Sequence, residues 1–195
     1  MSTVNNLLPR NGSVHLYENF FTTQVADNLF SQLLVNTPWR HDSITLFGKR
    51  VLQPRHTSWH GDAQKKYTYS GLTLEPQPWT QELLFLRDEL FNRTGHAFNS
   101  ALLNLYRDQK DSMGWHRDNE KELGPEPVIA SLSFGQSRTF FLRHINDKSL
   151  KVGLELHHGS LLLMSKTTQT FWEHALPKRT RPLNPRINIT FRSIL

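Results

Sequence analysis

Two side chains that can bind a metal ion, His116 and Asp118, lie two residues apart in the segment 114–118. In an extended segment, residues at this spacing point to the same side of the backbone, so one ion could contact both. The chain has no cysteine, so histidine and carboxylate must supply the ligands of any transition metal. His174 is the candidate third ligand, because it follows an extended run and precedes an arginine-bearing strand. Two histidines and one carboxylate on one face of a metal leave three positions open, which suits non-haem Fe(II) with a chelating cosubstrate and oxygen.

A second group of candidates lies on a predicted strand over 186–192. Read with a period of two, the strand places Ile187, Ile189 and Phe191 on one side. The other side carries the polar residues, which are Arg186, Asn188, Thr190 and Arg192. Two guanidiniums with no acidic neighbour between them can bind a carboxylate or a phosphate, because each is a planar fork of donors. The alternative for this segment alone is a solvent-exposed strand face.

A shorter alternating run over 103–106 adds an amide and a phenol, those of Asn104 and Tyr106. They could simply face solvent. If instead this row faces the arginine-bearing row across the interior of a β-sandwich, a buried polar lining would be unfavourable unless a ligand satisfied it. A dicarboxylate held by an arginine at one end and by the metal at the other would do so.

The elements that must position these residues are predicted from apolar spacing. Two helices come first, one over about 20–34, capped by Thr22 or Thr23, and one after Pro76 that ends before Gly95. From residue 98 onward, short extended runs alternate with turns, at 102–106, 128–134, 139–143, 161–165, 170–174 and 186–193. Helices followed by many short strands predict an α+β domain with a β-sandwich or jelly-roll core. We expect one domain over 14–195 after a flexible leader of residues 1–13.

Composition narrows the partners. The formal net charge is +6 and the sequence pI is about 9.8, which favours polyanionic partners and nucleic acid above all. No apolar run is long enough to cross a bilayer, and the first ten residues lack the pattern of a secretory signal. We therefore expect an intracellular monomer, in the bacterial cytoplasm or the eukaryotic nucleus, without a membrane partner.

Together, these motifs resemble the AlkB-type dioxygenases, which use Fe(II), 2-oxoglutarate and O2. The matching residues occur in the order of the family: Asn104-x-Tyr106, His116-x-Asp118, His174, and Arg186-x-Asn188-x-Thr190-x-Arg192. The resemblance extends from about residue 14 to the end and is greatest to the subgroup that repairs alkylated bases in double-stranded DNA. It implies a double-stranded β-helix, or jelly roll, over about 98–195, preceded by a nucleotide-recognition lid over about 40–75.

The resemblance also implies a role for each site residue. His116, Asp118 and His174 would be the iron ligands and thereby the catalytic residues. Arg186 and Tyr106 would hold the distal carboxylate of 2-oxoglutarate. The remaining cosubstrate contacts would come from Asn104, Asn188, Thr190 and Arg192.

Substrate contacts are implied in the lid and beyond it. Phe47, followed by Gly48 and Lys49, would be the finger that enters the duplex. Arg55 would help at the orphaned strand, which is the DNA strand opposite the flipped base. Tyr67, Thr68 and Tyr69 would line the base pocket, with Asn119 and Glu120 at the polar edge of the base. Arg179 and Arg181 would bind backbone phosphate.

The activity so implied is oxidative demethylation of damaged bases of the 1-methyladenine and 3-methylcytosine type in DNA, with duplex favoured, releasing formaldehyde, succinate and CO2. Two alternatives stay open. The same chemistry could act on single-stranded DNA, on RNA or on a protein side chain. A catalytically dead module that only binds nucleic acid is the other.

Overall fold

The computed structural model describes residues 5–46, 49–63, 67–69 and 72–195, with the backbone alone described for 44–46, 67–69 and 72–74. Within these residues the chain is mostly β-sheet with few helices. The helices are α1 (Thr23–Asn36), α2 (Gln81–Thr94) and the single turn α3 (Thr168–Phe171), with a 3-10 turn at Lys121–Leu123. The strands are β1 (Ser13–Tyr17), β2 (Ser43–Leu46), β3 (Lys49–Leu52), β4 (His56–Gly61), β5 (Tyr67–Tyr69), β6 (Leu72–Leu74), β7 (Ser100–Tyr106), β8 (Met113–His116), β9 (Ile129–Gly135), β10 (Arg138–His144), β11 (Lys151–Leu156), β12 (Ser160–Ser165), β13 (Trp172–Leu176) and β14 (Arg186–Arg192).

A six-stranded antiparallel sheet, in the order β1-β12-β9-β14-β7-β4, carries the arginine-bearing strand in its interior. Strand β14 pairs with β7 on one side and with β9 on the other. The register sets Arg186 opposite Tyr106 and Asn188 opposite Asn104. Side chains of paired residues lie on the same face of a sheet, so the two predicted polar rows form one polar face.

A four-stranded antiparallel sheet, in the order β11-β10-β13-β8, carries two of the predicted metal ligands. His174 on β13 is paired directly with His116 on β8. The register between these strands shifts just after this pair. The pairing explains how two histidines far apart in the sequence come together.

Two apolar clusters fix the sheets in place. In the first, Ile187, Ile189 and Phe191 of β14 pack with buried leucines of α1 and α2, so the helices cover the outer face of the six-stranded sheet. In the second, residues of both sheets meet, for example Leu162 of β12 with Trp172 of β13. The two sheets therefore face each other, and the polar face of β14 points between them.

Local signals set the helix ends. The Thr22 hydroxyl accepts a hydrogen bond from the Val25 amide, which confirms the predicted cap of α1. Helix α2 is capped by Thr80 and ends at Gly95, whose φ of 75° lies in the left-handed region that glycine adopts without strain. Both predicted helices are thus confirmed.

Two sequence predictions differ from the structure. The extended run expected over 170–174 is wrong in its first half, because Thr168–Phe171 form α3 and the strand begins only at Trp172. The flexible leader also differs over its described part: Leu8 is buried in the second apolar cluster, and the Asn6 side chain accepts hydrogen bonds from the Leu8 and Val14 amides at 3.2 and 2.8 Å. Among the described residues, no helix is both long and apolar enough to cross a membrane.

Candidate metal and cosubstrate site

Two imidazoles and one carboxylate converge at the edge of the space between the sheets. His116, Asp118 and His174 each offer one ligand atom, and these atoms lie within 4.8 Å of one another. The Nε2 atoms of the two histidines are 3.1 Å apart, and His116 Nε2 lies 4.0 Å from Asp118 Oδ1. This is the two-histidine, one-carboxylate donor set that suits Fe(II) with open coordination positions.

The histidine rings are held with Nε2 toward the shared point. His116 Nδ1 lies 2.9 Å from the Gly114 carbonyl, which can only accept a hydrogen bond, so Nδ1 carries a proton and Nε2 is the nitrogen turned toward the shared point. Burial, with a smaller contribution from His116, lowers the pKa of His174 to about 3. His174 is therefore neutral at neutral pH, which is the form of imidazole that ligates metal.

Asp118 is kept ionised by Arg192. Burial alone would raise the pKa of this carboxyl, but the interactions with the surrounding groups, first of all with the Arg192 guanidinium, outweigh burial and lower the pKa to about 2. Arg192 donates to Oδ2 through two nitrogens, at 2.9 and 3.3 Å, and the Gln169 side chain accepts a hydrogen bond from the Asp118 amide at 3.0 Å. The other carboxylate oxygen, Oδ1, faces His116.

At the far end of the site, Arg186 is buried with no carboxylate bound to it among the described residues. It is 2% exposed, and its guanidinium donates to the Ser133 hydroxyl at 2.9 Å. Its Nε has no hydrogen-bond partner in the described part of the chain. Burial lowers its pKa to about 10, which still leaves the group charged at neutral pH. A buried cation with an unsatisfied donor marks a place for an anion.

The wall between these two ends is polar and internally bonded. Asn188 donates to the Ser131 hydroxyl and the Leu132 carbonyl at 2.8 and 3.0 Å. Thr190 donates to the Asn188 side-chain oxygen at 3.2 Å. The Asn104 side-chain oxygen accepts from Arg55 Nε at 2.9 Å. These bonds fix the side chains that a ligand lying along β14 would touch.

All nine residues predicted to bind metal or cosubstrate line one cavity that is partly open to solvent. Apolar residues complete its wall, and they are Leu102, Met113, Phe140, Met164 and Leu176. The structure thus brings together the residues from the three separate sequence motifs. Their individual roles remain predictions.

The predicted substrate contacts are more scattered. Phe47 and Gly48 lie outside the described residues, and of Tyr67, Thr68 and Tyr69 only the backbone is described, as strand β5. Lys49, Asn119, Arg179 and Arg181 are exposed, and Glu120 is half-buried. Arg179 donates to the Thr139 hydroxyl and lines a second cavity together with Arg181.

Arg55 is buried beside the cosubstrate cavity. It is 3% exposed, and its hydrogen bond goes to Asn104, which lines that cavity. The contact with the orphaned DNA strand that the resemblance implies for Arg55 stays a prediction. Sequence reasoning missed Ser131, Ser133, Gln169 and Arg138, because serine, glutamine and an isolated arginine carry no spacing signal of their own.

The chain belongs to the 2OG-Fe(II) oxygenase superfamily, whose family model matches residues 13–192. It is similar to the DNA oxidative demethylase ALKBH2 of Mus musculus, with 42% identity over 189 residues that cover 92% of this chain and 79% of the relative. It is as similar to alpha-ketoglutarate-dependent dioxygenase alkB homolog 3 of Bos taurus, with 42% identity over 190 residues. That match covers 93% of this chain and 66% of the bovine protein, so the chain spans about two thirds of that relative's length. The predicted AlkB-type resemblance is confirmed.

A solved structure supports the fold. The structure titled "The structure of OsALKBH1" superposes with a TM-score of 0.61, covering 98% of this chain and 100% of that one at 15% sequence identity. At this identity the likeness concerns the fold alone.

The residues present fit the metal and cosubstrate that define this superfamily. The fit is seen in the oriented His116 ring, in the neutral His174, in the ionised Asp118 and in the unsatisfied donor of Arg186. His116, Asp118 and His174 would hold Fe(II), and Arg186 would take the distal carboxylate of 2-oxoglutarate. When bound with O2, this pair supplies an oxidant that hydroxylates a C–H bond of the substrate.

Proposed function

We propose that this chain is an oxidative demethylase that removes alkyl groups from damaged bases in DNA. The observation that carries the proposal is the single cavity in which His116, Asp118 and His174 meet the buried Arg186. The names of the relatives support DNA as the substrate, and the net charge of +6 agrees with a polyanionic partner.

The chemistry suits a methyl group on a ring nitrogen. Its C–N bond is not activated toward water, so direct hydrolysis is slow. Hydroxylation of the methyl carbon gives an N-hydroxymethyl group, which releases formaldehyde and restores the base, while 2-oxoglutarate becomes succinate and CO2. The protein's own groups orient the cosubstrate through Arg186 and keep Asp118 ionised through Arg192. The apolar wall near His174, including Phe140, limits water at the reacting carbon.

The proposal also covers the jelly-roll core, the single domain and the nucleotide-recognition lid. The two facing sheets form the jelly-roll core over about 98–195, in one domain that runs from residue 14 to the end. The hairpins β2–β3 and β5–β6 belong to a nucleotide-recognition lid over about 40–75. The protein works as a monomer inside the cell, in the cytoplasm of a bacterium or the nucleus of a eukaryote.

Substrate contacts follow from this arrangement. A methylated ring nitrogen lies inside the base stack, so the nucleotide must leave the duplex before it can react. Phe47, between β2 and β3, would occupy the space that the flipped base leaves in the stack. Gly48 and Lys49 would complete the finger. Tyr67, Thr68 and Tyr69 would line the pocket of the flipped base, and Asn119 and Glu120 would meet its polar edge. Arg179 and Arg181 would bind phosphate.

The buried position of Arg55 changes its proposed contribution. A guanidinium bonded to Asn104 supports the cosubstrate wall directly. Any contact with the orphaned strand then depends on movement of the segment between β3 and β4.

The test is mass spectrometry of oligomers that carry 1-methyladenine or 3-methylcytosine, incubated with Fe(II), 2-oxoglutarate and ascorbate. Duplex DNA, single-stranded DNA and RNA of one sequence are compared. We expect loss of one methyl group, fastest in the duplex. A strong preference for single strands or for RNA would contradict the duplex proposal while leaving the chemistry intact.

The finger formed by Phe47, Gly48 and Lys49 is tested separately. Phe47→Ala should reduce the rate on duplex DNA more than on single-stranded DNA. Phe85→Ala is the matched control, because Phe85 is an exposed phenylalanine on α2. An equal loss of rate on both substrates would indicate a general defect and would contradict the role of Phe47 as the finger that enters the duplex.

A module that binds nucleic acid without catalysis is the alternative from another class. It predicts affinity for DNA with no consumption of 2-oxoglutarate when Fe(II) is supplied. The set of three protein ligands and the unsatisfied donor of the buried Arg186 favour the enzyme over this alternative, since structural metal sites are usually closed by four protein ligands.

A further inference from the structure

The phenol ring of Tyr106 is shared by two buried guanidiniums. The central carbon of Arg186 lies 5.4 Å from the ring centroid, and that of Arg138 lies 5.9 Å from it. Both arginines are 2% exposed. Arg186 has a proposed role as the anchor of the cosubstrate, whereas no sequence motif gives Arg138 a role.

The turn that follows β9 brings Arg138 to this place. Gly135 ends β9 directly opposite Arg186, and the chain then turns into β10, which begins at Arg138. The Gln136 amide donates to the Pro185 carbonyl at 3.0 Å, which ties the turn to the residue before Arg186. Arg138 is therefore held near the Arg186 end of the cosubstrate cavity, although its side chain lines the neighbouring cavity with Arg179 and not the cosubstrate cavity itself.

Among the residues that the structure describes, no carboxylate forms an ion pair with either guanidinium. The charges of Asp111 and Asp108 raise the pKa of Arg138 from a greater distance, and that of Glu155 raises the pKa of Arg186. The nearby Asp111 carboxylate is used by Arg107, which contacts both of its oxygens at 2.8 Å. Burial lowers the pKa of both Arg138 and Arg186, and the charge of Arg138 lowers the pKa of Arg186 further. Two like charges buried around one ring are unfavourable by themselves and become favourable when an anion lies near them.

The hydrogen bonds of Arg138 also tie down two loops. Its guanidinium donates to the carbonyls of Asp108, Asp111 and Pro177, at 3.3, 3.1 and 2.7 Å. The first two lie in the loop that follows Tyr106, and the third lies between β13 and β14. Its Nε has no partner among the described residues. One side chain thus combines a positive charge with a clamp on the segment that carries the phenol.

We propose that Arg138 is a positioning residue for the distal carboxylate of the 2-oxo acid cosubstrate, acting as a second buried charge beside Arg186 and by fixing Tyr106. The proposal rests on the proposed function, because it concerns the same cosubstrate. It makes Arg138 a determinant of the preference for a dicarboxylate over a monocarboxylate.

The experiment measures binding of two ligands by calorimetry, on protein loaded with Mn(II) in the absence of oxygen. One ligand is 2-oxoglutarate. The other is 2-oxopentanoate, which has the same chain length and chelating end but a methyl group instead of the distal carboxylate. The variants are Arg138→Gln, which can still donate to a carbonyl, and Arg138→Lys, which keeps the charge. Arg10→Gln is the matched control, since Arg10 is a surface arginine paired with Asp147.

The expected result is a change in the ratio of the two affinities. Arg138→Gln should reduce the affinity for 2-oxoglutarate by about tenfold, the order expected from one buried charge acting on another, and leave that for 2-oxopentanoate nearly unchanged. Arg138→Lys should keep most of the preference, and Arg10→Gln all of it. Retained binding of 2-oxopentanoate also shows that each variant is folded.

Equal losses for the two ligands, or no loss for either, would overturn the proposal, since a clamp alone does not distinguish them. If Arg138→Gln fails to fold, Arg138→Lys decides. Lysine keeps the charge without the planar fork that reaches the carbonyls through two nitrogens, so a preserved preference supports the charge and a lost preference overturns it. A wild-type protein that binds neither ligand would overturn the proposed function itself, and this proposal with it.

Discussion

Arg192 binds one oxygen of Asp118 and leaves the other facing His116. Its two donated hydrogen bonds, at 2.9 and 3.3 Å, both end on Oδ2, whereas Oδ1 faces His116. The pair is buried, with side-chain exposures of 10% and 6%. The arginine at the end of β14 therefore orients the carboxylate ligand in addition to facing the cosubstrate cavity.

Removal of this arginine should weaken metal binding. Burial would then raise the pKa of Asp118 without the opposing charge, so protons would compete with the metal at higher pH than in the wild-type protein. We expect Arg192→Met to lower Mn(II) affinity by about 10- to 100-fold at neutral pH, with a greater loss as the pH falls. Calorimetric titration measures it. Arg186→Met is the control, because Arg186 lies at the other end of the cavity; unchanged metal affinity in Arg192→Met would contradict the orienting role.

Arg186 should determine affinity for the cosubstrate without affecting the metal. Loss of one partner of a buried charge pair costs about 2–5 kcal/mol, so Arg186→Met should weaken 2-oxoglutarate binding at least about 30-fold. Arg186→Lys should recover only part of this, because an ammonium cannot form the two parallel bonds of a guanidinium. Binding is measured on Mn(II)-loaded protein without oxygen. An unchanged affinity in Arg186→Met would show that another residue anchors the distal carboxylate.

Gly135 should be intolerant of any side chain. Its φ is 82°, and an added Cβ would lie 2.5 Å from the Pro185 carbonyl oxygen and 2.7 Å from the Phe30 ring. Strained backbone and overpacking together should lower the free energy of unfolding of Gly135→Ala by about 2–4 kcal/mol. Gly95→Ala is the matched control, since Gly95 has φ 75° with open space around it, and should cost only about 1 kcal/mol. Urea unfolding measures both, and equal losses would contradict the steric account.

His60 should make the fold sensitive to mild acid. The ring is 1% exposed, with Nδ1 at 2.7 Å from the Pro78 carbonyl and Nε2 at 2.9 Å from the Ser58 hydroxyl. Burial lowers its pKa in the folded state, although the Pro78 carbonyl opposes the shift. The unfolded state therefore binds the proton first, and stability falls as the pH drops below about 6.5, by at most ~1.4 kcal/mol per pH unit for one proton.

Urea unfolding at pH 7.5 and 5.5 tests this linkage in the metal-free protein. His60→Gln should show a smaller loss of stability between the two pH values than the wild-type protein. A residual loss is expected, because the pKa of His174 is also lowered. An identical pH dependence in the two proteins would contradict the prediction for His60.

The sequence predicted best where the signal was local. Helix α2 carries its cap, its leucine spacing and its terminal glycine within about fifteen residues, and the alternation of β14 is complete within seven. Strand β4 was missed because its residues are mostly polar, and it is stable through pairing with β7. That pairing also places the preceding Arg55 against Asn104, a contact between residues 49 positions apart that no local pattern encodes.

In the site, too, local patterns could be predicted from the sequence and contacts between distant residues could not. The polar face of β14 could be predicted from a period of two, but the positions of His116 and His174 depend on the pairing of β8 with β13. His174 was expected as the third ligand from its place at the end of an extended run and from the family resemblance, but no spacing rule predicted its pairing with His116. Arg138 was not predicted at all, because the turn at Gly135 and the backbone carbonyls it binds exist only in the folded chain.

The most direct test is a crystal structure of the protein grown with Mn(II) and 2-oxoglutarate in the absence of oxygen. We expect one anomalous peak for Mn(II), within bonding distance of His116 Nε2, an oxygen of Asp118 and His174 Nε2. The distal carboxylate of the cosubstrate should lie on Arg186. A metal that is not bonded to His174, or a cosubstrate that does not reach Arg186, would contradict the proposed site.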